Sequence, residues 1–240
     1  MCKCHINWGR FSVSFIFLFF ISSSYSQALN EVGEWGGAIP FEIVPVAVAN
    51  LPDGRLLTWS SQFPNTFDEI GDGYTYTELF DPNGNNGLGR ALGMTLTDTD
   101  HDMFCPGINN LADGSILSAG GTTSERTSIY DPKTNLWTRA ADMNIPRGYQ
   151  GNVTLSNGAV FTVGGSWSNG AGNNGGKAAE IWSPESGWIN LPGITGESIY
   201  NSNDLNLESQ TNPLYRVDNH VWLWPAPNGK LFHAGPSEEM

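Results

Sequence analysis

Basic residues are scarce. Lys and Arg number 11 against 24 Asp and Glu, a formal net charge of −13 over 240 residues. That balance repels nucleic acid and anionic lipid surfaces, which excludes a nucleic-acid partner and a charge-driven membrane role. Charged residues of both signs make up only 15% of the chain, too few for long solvated helices, while 29 Gly and 14 Pro imply frequent turns. Long apolar spans are missing as well. The best stretch, residues 11–21, is too short to cross a bilayer. It follows Lys3 and Arg10 and precedes Ser24 and Ser26, the arrangement of a secretory signal. Residues 1–26 are therefore expected to be a removed leader, and 27–240 an exported domain with no membrane attachment.

Cysteine is nearly absent from that domain. Of Cys2, Cys4 and Cys105, the first two fall in the leader. A lone Cys105 has no partner for a disulfide within the chain, so it is buried as an inert thiol, paired outside the chain, or used for its chemistry.

What the sequence does contain is repetition. Four apolar stretches are each split by Asp-Gly or Asn-Gly, at Asp53-Gly54, Asp113-Gly114, Asn157-Gly158 and Asn228-Gly229. Such dipeptides between β-rich segments mark hairpins, because the turn needs positive φ. Behind three of the hairpins comes an apolar pair leading into a proline turn, Leu79-Phe80-Asp81-Pro82, Ile129-Tyr130-Asp131-Pro132 and Ile181-Trp182-Ser183-Pro184; the last two are followed by Trp137 and Trp188. Each unit is thus expected to be a four-stranded antiparallel sheet. The turn glycines lie 60, 44 and 71 residues apart, bracketing the roughly 50-residue kelch period. An all-β, kelch-type β-propeller follows, rather than a sandwich, which has no reason to repeat this unit. The chain holds about three and a half to four blades, the front part of a larger ring.

Equal offsets suggest a site. Cys105 and Tyr149 each stand nine residues before the turn glycine of their repeat, and Pro45 and His220 share that offset. Equal offsets place these side chains at equivalent entry points of neighbouring inner strands, near the propeller axis. A phenol is a poor ligand until a metal displaces its proton. With sulfur bonded to its ring it becomes easier to oxidise, so a Cys105–Tyr149 unit and a metal could each store one oxidising equivalent.

Four ordered motifs carry a resemblance. HDMFCPG (101–107), RGYQ (147–150), GGSWS (164–168) and LYRVDNHVW (214–222) resemble galactose oxidase and its copper-radical oxidase relatives. The resemblance implies a seven-bladed propeller and oxidation of primary alcohols, galactose or a related carbohydrate, to aldehydes with reduction of O2 to H2O2. It implies that Cys105 is joined by a thioether to Tyr149, a copper ligand and radical site, and that Trp167 stacks over the link. Arg216 would hydrogen-bond sugar hydroxyls, with Tyr215 and His220 beside it, and Phe67 would pack on the apolar face of the substrate. The family's two copper histidines and axial tyrosine belong to later blades, so copper is implied for a longer parent and this chain alone is expected to be inactive. The alternative is a secreted kelch-propeller module that binds carbohydrate or a partner without redox activity.

Other motifs have plainer readings. The GAGNNG run at 170–175 matches a dinucleotide fingerprint but precedes a strand-like segment where a helix is required. Asp98, Asp100 and Asp102 imitate a calcium loop, yet Met103 fills the glycine position. Asn152-Val153-Thr154 is a glycosylation sequon inside an expected inner strand, and His101 reads as a structural histidine.

Overall fold

The computed structural model describes residues 35–67, 72–165, 177–196 and 221–234. Every strand lies in one compact unit, Ala38–Met240; Met1–Gly37 forms a separate unit. Three four-stranded antiparallel meanders succeed one another. The first comprises β1 (Ala47–Asn50), β2 (Leu56–Trp59), β3 (Tyr74–Asp81) and β4 (Arg90–Asp98). The second comprises β5 (Gly107–Asn110), β6 (Ile116–Ala119), β7 (Thr127–Asp131) and β8 (Leu136–Arg139). The third comprises β9 (Gly151–Thr154), β10 (Val160–Val163), β11 (Ala179–Ser183) and β12 (Gly187–Leu191). A two-stranded sheet follows, β13 (Trp222–Pro225) with β14 (Leu231–Ala234). The innermost strands lie side by side in chain order, β1 next to β5, β5 next to β9 and β9 next to β13. This is a partial β-propeller of three blades and the inner hairpin of a fourth.

The four inner hairpins turn in the same way. The side-chain oxygen of the Asx residue accepts the amide two residues on: Asp53 from Arg55 at 3.0 Å, Asp113 from Ser115 at 2.9 Å, Asn157 from Ala159 at 3.1 Å and Asn228 from Lys230 at 3.1 Å. The glycine between them takes φ of 88°, 89°, 85° and 77° in turn. Asp and Asn serve equally because only an acceptor oxygen is used.

Apolar strands then bury both faces between blades. All residues of β6 and β10 are buried, as expected for a strand flanked by a neighbouring sheet on each side. Leu57 and Trp59 of the first blade pack with Met103, Ile116 and Tyr130 of the second. Leu117 and Ala119 pack with Val160, Trp182 and Trp188 of the third. Val153, Phe161 and Val163 meet Val221. Tryptophans fix the seams through their indole N–H as well as their area: Trp59 donates to the Met103 carbonyl at 3.0 Å, and Trp188 to Thr127 Oγ1 at 2.9 Å. Each such side chain contributes about 2–3 kcal/mol by burial. Val46 and Val48 before and within β1, and Trp222 and Trp224 of β13, are among the exposed apolar residues. Among the described residues no helix is long and apolar enough to cross a membrane.

Candidate active site

Cys105 and Tyr149 end the two loops that enter β5 and β9. Both are non-glycine residues in the left-handed region, with φ of 60° and 57°. That conformation costs an L-residue roughly 1–2 kcal/mol, and the surrounding loops must impose it. The Tyr149 amide donates to the Cys105 carbonyl at 3.1 Å, and the Tyr149 hydroxyl donates to the Cys105 sulfur. The structure therefore brings the thiol and the phenol together. Burial pushes the thiol up to about 11; the Tyr149 hydrogen bond opposes this and the charge of Asp102 adds to it. The thiol is protonated at neutral pH and reacts only slowly with electrophiles. Both residues line a cavity of about 340 Å³ together with Val46, Phe104, Gln150 and Trp222.

Three features fix the two loops; of these the sequence singled out only His101, as a structural histidine. On the Cys105 side, His101 is fully buried. Its Nε2 lies 2.8 Å from the Gly120 carbonyl and its Nδ1 lies 3.0 Å from Ser128 Oγ. A carbonyl only accepts, so Nε2 carries the proton and Nδ1 accepts from Ser128, which in turn accepts from Thr99 at 2.9 Å. Burial depresses this imidazole to about 4, which keeps it neutral. On the Tyr149 side, Arg147 is fully buried. It donates to the Gly164 carbonyl at 2.8 Å, to the Ala178 carbonyl at 2.7 Å and to Glu180 Oε2 at 3.0 Å. Glu180 also accepts from Asn144 N at 2.8 Å, so both charges are hydrogen-bonded.

Between the loops runs the Gly120-Gly121-Thr122 segment. Gly121 N donates to the Arg147 carbonyl at 3.1 Å and Thr122 N to the Phe104 carbonyl at 3.0 Å. A Cβ on Gly121, whose φ is 111°, would lie 2.5 Å from the Phe104 carbonyl oxygen. Only glycine admits both loops this closely. Phe104 holds the remaining piece: its ring stacks on Phe67 with centroids 4.6 Å apart and 7° between planes. Phe67 is 57% exposed, which leaves the pair open to a ligand beside Cys105.

Trp167, Tyr215, Arg216 and His220 lie outside the described residues. His101 stands where the sequence placed it, as a structural histidine, and the sequon residue Asn152 lies in β9 with its amide donating to Asn109 at 3.1 Å. Among the described residues no group of three His, Cys, Asp or Glu side chains could hold a metal ion. Among the described residues one phenol oxygen stands where a copper ligand is expected, and no imidazole groups with it. A complete copper centre does not fit the described residues.

Over 223 residues, 92% of its length, the chain is 40% identical to two galactose oxidases of Gibberella zeae. The chain is similar to galactose oxidases over most of its own length. It spans 31% of the length of those relatives. Among solved structures it is similar to a fungal alcohol oxidase of the AA5 family in complex with copper, with 36% identity and a TM-score of 0.69, covering 83% of this chain and 39% of that one. No protein-family profile matches. The galactose oxidase relationship runs through all three blades and both loops of the Cys105–Tyr149 pair.

Proposed function

We propose that this chain is the exported N-terminal part of a galactose-oxidase-type copper oxidase that converts primary alcohols, galactose or a related carbohydrate, to aldehydes while reducing O2 to H2O2. Its leader would be residues 1–26 and its kelch-type propeller would continue beyond the blades described. One observation carries this reading. Two residues of equivalent position in adjacent blades, both held in an unfavourable backbone conformation, put a thiol in hydrogen-bond contact with a phenol. Strain imposed at two matched points is a sign of a working site.

In the complete protein Cys105 Sγ would be bonded to a ring carbon of Tyr149. Forming that bond removes the thiol hydrogen and one ring hydrogen, with two electrons and two protons passing to O2 to give H2O2. Tyr149 Oη would be one copper ligand, the others coming from residues outside those described. Copper, when bound, supplies the second one-electron store beside Tyr149. The sulfur lowers the cost of oxidising the phenol, and the buried Gln150 beside it limits water on that side. Trp167 would stack over the linked ring and shield it. Phe67 would receive the apolar face of the alcohol, and Arg216 would offer its two parallel N–H groups to vicinal hydroxyls, with Tyr215 and His220 alongside.

The exposed Phe67 ring, stacked on Phe104, supports a second reading, a carbohydrate-binding propeller without redox chemistry. Oxygen consumption on a primary-alcohol sugar, by the longest protein that contains this chain and after copper loading, separates the two. The oxidase reading expects turnover that Cys105→Ser and Tyr149→Phe abolish; saturable sugar binding with no oxygen uptake supports the binding module.

A further inference from the structure

His101 and Arg147 differ in chemistry and in distance from their turn glycines, yet they make the same connections. Each is fully buried. Each donates to the carbonyl of the first glycine after its own inner hairpin, Gly120 or Gly164, at 2.8 Å. These two glycines share a φ of 69°. Each also reaches the third strand of its blade at a matching position: Ser128 pairs with Ser118 across β6 and β7, and Glu180 pairs with Thr162 across β10 and β11. Each precedes, by four residues or by two, the left-handed residue that carries the thiol or the phenol.

We propose that His101 and Arg147 are matched positioning residues, each clamping one loop to its own blade so that Cys105 and Tyr149 are held in register before any link between them forms. The proposal rests on the reading of that pair as the working centre. Neither clamp touches the cavity; each acts through the loop it anchors. The clamps converge on one strut, because the Gly120-Gly121-Thr122 segment receives the His101 bond at Gly120 and donates to the Arg147 and Phe104 carbonyls. A loop released on one side removes half of the frame on which the Tyr149 N–H to Cys105 carbonyl bond is built. Charge is not required, since a neutral imidazole and a guanidinium do the same task. The requirement is a buried side chain with a donor aimed at the glycine carbonyl and a second polar atom aimed at the third strand.

The test uses the full 240-residue chain made without copper, with iodoacetamide as the thiol probe and amide hydrogen exchange as the second readout. His101→Ala is expected to speed Cys105 alkylation and Tyr149 amide exchange by about tenfold under native conditions, the effect of losing a buried hydrogen-bond anchor. His101→Gln, which keeps one donor and one acceptor, should return both rates to within about threefold of the parent. Leu117→Ala, a core truncation away from the loops, sets the change that general loss of stability produces. If His101→Ala does not fold, Ser128→Ala, which leaves the Gly120 bond in place, is expected to raise both rates by about threefold. Rates that track global stability alike in the His101, Ser128 and Leu117 variants overturn the proposal, as does failure of His101→Gln to differ from His101→Ala. None of these readouts needs copper or a thioether, so failure of the oxidase reading leaves their outcome intact and is recognised separately by the absence of alcohol-dependent oxygen uptake.

Discussion

The Tyr149 hydroxyl donates to the Cys105 sulfur, and this bond opposes the burial that pushes the thiol up to about 11. Removing the hydroxyl leaves burial and the charge of Asp102 unopposed. Tyr149→Phe should therefore move the Cys105 titration upward, with no thiolate absorbance developing where the parent shows it. A downward shift would mean that the phenol is not the donor.

Arg147 and Glu180 form a fully buried ion pair with N···O at 3.0 Å. Truncating one partner strands the other charge, so Arg147→Ala should cost about 3–5 kcal/mol. The urea midpoint is expected to fall accordingly. Replacing both residues together, by Met and Leu, should cost less than the single truncation because no buried charge is left alone. Equal losses would show that the pair contributes through packing only.

Acid stability has two opposing sources beside the site. His101 is depressed to about 4 chiefly by burial, opposed by its hydrogen bond to Gly120 and by Asp142, while the charges of Arg126 and Arg139 add to the depression. The unfolded chain takes up this proton first, so the stability of neutral His101 is complete above about 6.5 and is lost as the pH falls toward 4. Asp102 has the opposite sign: burial raises it from 3.8 to about 6, and acidification through that window relieves a buried carboxylate. The parent should show a shallow profile. Asp102→Asn should lose about 3 kcal/mol on going from neutral pH to about pH 4, and His101→Gln should gain stability over the same range. Urea unfolding at a series of pH values measures both; the same slope in parent and variants would contradict the assignment.

Phe67 is held beside Cys105 by its stack on Phe104. Phe104→Leu removes the ring partner and should cost about 0.5–1.5 kcal/mol of stability. In the longest protein containing the chain, KM for a primary-alcohol sugar should rise with little change in kcat if Phe67 has the binding role proposed for it. A fall in kcat with KM unchanged would place Phe104 in the chemistry instead.

The repeating hairpins and the partial propeller were legible because Asx-Gly turns and strand-length apolar runs are local signals that each blade repeats. The Cys105–Tyr149 pair was legible because both residues keep one offset from their turn glycines. The clamps were not. His101 stands thirteen residues before Gly114 and Arg147 eleven before Gly158, so only the fold shows that both meet the first glycine of a Gly-Gly pair. Phe104 was hidden for a related reason. Its partner Phe67 belongs to the first blade, and the stack forms between loops that share no periodic signal. Equivalent backbone sites can be read from spacing; side chains that converge from unequal distances cannot.

The most direct measurement is the intact mass, with peptide mapping, of the longest protein containing this chain after copper and oxygen treatment. The mass should fall by two hydrogens relative to the reduced, copper-free protein, with the peptides bearing Cys105 and Tyr149 recovered as one linked species, and Cys105→Ser should show no loss. An unchanged mass, with Cys105 still available to a thiol reagent after unfolding, would contradict a Cys105–Tyr149 redox centre.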